Sequence, residues 1–145
     1  MTMKDVQQEI VSTMKSWQQL ENATIAITGQ IMEKTENPII RLIMEVIQRD
    51  SQMHYRVQEW IADSLESKTV SLIPEEIGEV WDMIERHVEL EKKSVEIAEQ
   101  TLASLKGKAM VVQEYLLNYL REDEKKHNDL LSSLDSIKIK MYPYG

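Results

Sequence analysis

Glu124 and His127, two side chains that bind metals and move protons, interrupt a leucine stripe in the last quarter of the chain. Steps of 3, 4, 3, 4 and 3 lead from Leu117 through Leu120, Glu124, His127 and Leu131 to Leu134, which puts all six on one helical face. The same pattern recurs upstream. Glu91 lies seven residues after Ile84 and four before Val95; Glu21 lies four after Trp17 and three before Thr24; His54 lies seven after Ile47 and seven before Ile61. Each is a polar group where an apolar one belongs. His87, four residues before Glu91, is read as structural, and Trp17, Trp81 and the nine Met as core or boundary residues.

Burying an uncompensated carboxylate costs several kcal/mol even after relaxation. Three that converge repel one another unless one is protonated or a cation lies among them. No Arg or Lys shares these stripes near the marked positions, so a divalent metal is the candidate cation. Carboxylate with imidazole suits iron or manganese, with zinc as a third candidate. Taken singly, Glu21 reads as a boundary glutamate, His54 as a satisfied core histidine and Glu124-x-x-His127 as a common spacing. Agreement among four segments is what points to a metal site.

Three breaks delimit those segments. Asn37-Pro38 disfavours helix at Asn37, residues 67–74 carry β-branched residues and a Pro suited to a first helical turn, and Lys106-Gly107-Lys108 offers a left-handed helix cap. The expected helices cover roughly 3–35, 38–66, 74–105 and 109–136. Their stripes are Val6, Ile10, Met14 (or Thr13), Trp17, Thr24, Thr28 and Ile31; Ile40, Ile43, Ile47, His54, Ile61 and Leu65; Ile77, Val80, Ile84, Val88, Val95, Ala98, Leu102 and Leu105; and the leucines of the fourth with Ile137. No window alternates with a period of two. The fold class is therefore all-α, a four-helix bundle over residues 1–137 with a tail at 138–145.

Composition agrees. The chain has 145 residues, 42% hydrophobic and 29% charged, a size and balance suited to one globular domain. A net charge of −8 argues against a nucleic-acid or anionic-membrane surface. The absence of Cys removes disulfide, iron–sulfur and thiol chemistry and fits a cytoplasmic protein. No stretch has the roughly 20 apolar residues of a membrane span, and the first ten residues lack a signal-peptide apolar region.

The two halves echo each other. Residues 49–54 align with 122–127 at an offset of 73, with Asp and His coinciding, and Leu20-Glu21 aligns with Leu90-Glu91 at an offset of 70. On these motifs the chain resembles the ferritin-like superfamily, most closely its rubrerythrin-like branch, in which helices 1 and 3 each carry a Glu and helices 2 and 4 each carry Glu-x-x-His. That pattern falls on Glu21, Ser51-x-x-His54, Glu91 and Glu124-x-x-His127. The resemblance implies a ferritin-like bundle with a carboxylate–histidine site of di-iron type and oxidative chemistry on dioxygen or peroxide. It implies Glu21, His54, Glu91, Glu124 and His127 as ligands, with Glu124 as the bridge. Ser51 departs from the pattern, because a hydroxyl cannot replace an anionic bridge. The set then serves one metal through Glu91, Glu124 and His127, or two with incomplete shells. Relatives often keep a helix-1 tyrosine or a cysteine-rich electron-transfer module; residues 1–54 contain no Tyr and the chain no Cys. A rival expectation is an interaction protein that has lost the site, forming a homodimer through Val111, Leu116 and Tyr119.

Overall fold

The computed structural model describes residues 1–66 and 74–141. Among the described residues the protein is all-α, with four helices and no strand: α1 (Met3–Lys34), α2 (Pro38–Glu66), α3 (Pro74–Ser104) and α4 (Val111–Met141). The expected break at 67–73 and the tail residues 142–145 lie outside the described residues. Helix α4 continues to Met141, five residues past the expected end, so 138–141 extend the helix. Helix α2 runs to Glu66 and α3 begins at Pro74, so neither helix is shortened at their connection.

The helix ends follow local chemistry. Thr2 and Asp5 form a reciprocal capping box: Asp5 N donates to Thr2 Oγ1 at 3.1 Å, and Thr2 N donates to Asp5 Oδ2 at 2.9 Å. Those hydrogen bonds hold the Asp5 carboxyl below its ordinary pKa. Asn37 Oδ1 accepts from Ile39 N and Ile40 N at 3.0 and 3.1 Å, with Pro38 in the first helical turn, where no amide hydrogen is needed. Arg41 Nη1 reaches back to the open carbonyls of Met32 and Thr35 at the end of α1. After α3, Gly107 takes φ +78°, the left-handed conformation expected of a glycine cap.

The chain divides into two compact units, Met1–Val70 and Ser71–Gly145, and each is an antiparallel helical hairpin. The first pairs α1 with α2. Its apolar core is small, with Val11, Met14 and Ala62 buried and Ile10 and Leu65 packed on them. The rest of its seam is polar: Glu21, Thr28, Ser51 and Gln58 are all buried. Gln18 Nε2 donates to the Tyr55 carbonyl and Gln48 Nε2 to the Ile25 carbonyl, each at 3.2 Å, tying the two helices backbone to side chain.

This seam keeps Ile10, Met14, Thr28 and Leu65 of the expected stripes and corrects others. Trp17 is 48% exposed, and Val6, Ile31, Ile40, Ile47 and Ile61 are also exposed. Periodicity picks the most apolar face of a helix, whereas these two helices meet along small and amide side chains that hydrogen-bond across the gap. The second hairpin pairs α3 with α4 and keeps closer to its expected face: Ile77 and Ala98 are buried, and Ile84, Val88, Val95, Leu102, Leu105, Leu117, Leu131 and Leu134 are half-buried. Val80, Leu120 and Ile137 are exposed.

Candidate metal centre

Glu91 sits on the α3 face that packs on α4 and is only 6% exposed. Three groups surround its carboxylate. His87 Nε2, one turn earlier, lies 2.7 Å from Oε1; His127 Nδ1, from α4, lies 3.6 Å from the same oxygen; and Glu124, one turn before His127, brings in a second carboxyl. One donor atom each from Glu91, Glu124 and His127 lie within 4.8 Å of one another. Two ligands on opposite sides of an ion, each at about 2.0–2.2 Å, are about 4.4 Å apart at most, so the three atoms lie on the scale of a metal's ligand shell.

The electrostatics mark the pair as strained. Glu124 is pushed above its ordinary pKa by the hydrogen bond its protonated carboxyl shares with Glu91, by desolvation and by the Glu91 charge. Glu91 is held below its ordinary value, chiefly by the same proton from Glu124 and further by His127 and His87, against the opposing effect of burial. The two carboxyls therefore titrate as a pair, with Glu91 losing its proton before Glu124. Oε2 of Glu91 is buried without a hydrogen-bond partner of its own. A buried carboxylate oxygen without a hydrogen-bond partner, on a side chain that also meets a second carboxyl and an imidazole, suits a cation.

A further acidic group aligns the histidine. Asp123 Oδ2 lies 3.4 Å from His127 Nε2, so one ring nitrogen faces a carboxylate while Nδ1 faces Glu91. Carboxylates placed this way fix the tautomer and orientation of metal-binding imidazoles. Spacing alone did not single out Asp123, although its coincidence with Asp50 in the repeat was a usable signal. His87, expected to be structural, pairs with Glu91 Oε1 along its own helix and stands outside the three-residue group.

Of the five expected ligands, three are brought together: Glu91, Glu124 and His127. Glu21 and His54 belong to the first hairpin, where Glu21 is 7% exposed and His54 Nδ1 lies 3.6 Å from Glu21 Oε1. The residue occupying the Glu124 position there is Ser51, which is buried. Among the described residues, the Glu91, Glu124 and His127 group alone gathers three metal-competent side chains. A groove of about 800 Å³ in the second hairpin is lined by Trp81, Glu85, Val88, Lys92, Leu131 and Ser132. It begins one helical turn from the cluster, since Val88 precedes Glu91 by three residues and Leu131 follows His127 by four.

Compared with protein-family models, with curated proteins and with solved structures, the chain matches none. No helix among the described residues is long and apolar enough to cross a membrane.

Proposed function

We propose that this protein binds a divalent transition metal, iron or manganese with zinc as the alternative, through Glu91, Glu124 and His127 of its second hairpin. The observation that carries the reading is a buried Glu91 that meets a second carboxyl and an imidazole aligned by Asp123 while its Oε2 has no hydrogen-bond partner. A metal would offset the charge of both carboxylates and give that oxygen a partner. Three protein ligands leave coordination positions free, which oxidative chemistry on dioxygen or peroxide requires. The neighbouring groove is open enough to admit such small molecules. Within this reading the protein is ferritin-like in arrangement and cytoplasmic, in keeping with its lack of Cys. Elemental analysis of untagged protein, followed by anaerobic iron(II) or manganese(II) titration, tests it. About one metal per chain supports the proposal; less than about a tenth of that, with no uptake on titration, removes it.

One observation favours a second reading. The hydrogen bond to Glu91 raises the Glu124 pKa, which eases the repulsion of the pair without a metal as pH falls, and Val111 and Tyr119 are exposed, Val111 at 77%. A bundle that keeps the pair without a metal would act as an interaction protein and dimerise through this region. Leu116, expected to join that face, is half-buried. The same titration separates the two readings.

A further inference from the structure

The sequence repeat has a structural counterpart that reaches individual atoms. At the offset of 70, Glu21 and Glu91 are both buried, Thr24 and Ser94 half-buried, Ile25 and Val95 half-buried, and Thr28 and Ala98 buried. At the offset of 73, Asp50 corresponds to Asp123, Ser51 to Glu124, His54 to His127 and Gln58 to Leu131. His54 Nδ1 approaches Glu21 Oε1 to 3.6 Å, and His127 Nδ1 approaches Glu91 Oε1 to the same 3.6 Å. Each hairpin therefore holds a buried glutamate under the Nδ1 of a histidine from its partner helix.

The two hairpins differ in what else meets that glutamate. In the second, it is a carboxyl, Glu124, and the Leu131 position is apolar. In the first, the carboxyl is replaced by Ser51 and the leucine by Gln58, which is 3% exposed and points its amide nitrogen at Glu21 Oε1, 3.5 Å away. The opposite end of that amide, Oε1, is buried with no partner. An amide free to turn has no reason to leave its oxygen orphaned, so the Glu21 charge is what sets its orientation.

We propose that the hairpins are two copies of one site that answer the same buried glutamate differently: by a divalent metal at Glu91 and by the Gln58 amide at Glu21. The first copy is a disarmed metal site, two ligands intact and the third lost, with a neutral donor in the cation's stead. The metal half of this statement rests on the function proposed above. The Gln58 half stands on the first hairpin alone.

Two experiments test it. In the first, manganese(II) stoichiometry is measured on wild type, Glu21→Gln and Ser51→Glu/Gln58→Leu, with helical circular dichroism confirming the fold. Wild type and Glu21→Gln should each bind about one metal, and the double variant about two, falling to one when Glu91→Gln is added. Loss of metal in Glu21→Gln, or a folded double variant that stays at the wild-type value, overturns the proposal. In the second, a double-mutant cycle pairs Gln58→Leu with Glu21→Gln, read as thermal midpoints in EDTA. Gln58→Leu should lower the midpoint of wild type by several degrees and that of Glu21→Gln by much less. Equal losses in both backgrounds overturn the role given to Gln58, and this arm decides the matter if the Ser51→Glu/Gln58→Leu variant does not fold. A wild type that binds no metal refutes the metal reading of the second hairpin, while the cycle in EDTA still reads the first.

Discussion

Glu124→Gln isolates the metal from the fold. The amide keeps the size of the side chain and can still donate to Glu91, so it imitates the protonated form that the hydrogen bond to Glu91 and burial favour. Below the folded pKa of Glu124 the metal-free protein should therefore change little, within about 1 kcal/mol, the scale of a single exchanged hydrogen bond. The metal-bound protein should change greatly, because one of two neutralising carboxylates is gone. A ligand present at 100 times its Kd stabilises the folded state by about 2.7 kcal/mol. For a chain of this length, 1 kcal/mol corresponds to roughly 2–4 °C in Tm, so saturating manganese(II) should raise the wild-type midpoint by about 5–11 °C. In Glu124→Gln the same manganese(II) concentration should raise it by no more than about 2 °C. Differential scanning calorimetry, with EDTA and manganese(II) samples run side by side, reads both quantities. A full metal shift in the variant would refute the assignment of Glu124 as a ligand.

Further expectations follow from the same cluster. The lowered pKa of Glu91 contributes stability above its unfolded value of 4.5, lost as pH falls through the folded value; the raised pKa of Glu124 contributes stability below 4.5, lost as pH rises through its folded value. In EDTA, the stability difference between wild type and Glu124→Gln should accordingly shift against wild type as pH rises from 4.5 through the folded value of Glu124, and thermal melts across that range check the sign. Metal binding must displace the shared proton, so below the folded pKa of Glu124 the affinity should fall about tenfold per pH unit, with proton release visible by calorimetry in buffers of different ionisation enthalpy. Asp123→Asn should weaken metal binding about 10–100-fold by freeing the His127 ring, measured by competition with a chelating dye. Asn37→Ala removes the acceptor for two α2 amides and should cost about 0.5–2 kcal/mol in urea unfolding without altering metal stoichiometry.

Much of this was legible in the sequence, for reasons that differ by residue. Asn37-Pro38 and Gly107 marked their breaks because proline and glycine restrict or release the backbone locally. Glu91, Glu124 and His127 were legible because a polar group on an apolar stripe must find a partner, and spacing along one helix already says which face it takes. The seam of the first hairpin was not legible: Gln18, Gln48, Ser51 and Gln58 look like solvent-facing residues until a second helix supplies carbonyls and a carboxylate for them. Trp17 and Ile47 drew the expected stripe toward themselves by size, although the helices meet elsewhere. Asp123 escaped notice because its role depends on a distance to His127 that only the folded hairpin fixes.

The most direct measurement is anomalous diffraction from crystals of untagged protein grown with manganese(II). A single strong peak should lie within about 2.0–2.3 Å of a carboxylate oxygen of Glu91, one of Glu124 and Nδ1 of His127. Density showing those three side chains in direct contact with no ion among them, and manganese absent or scattered over exposed acidic residues, would contradict a metal centre in this protein.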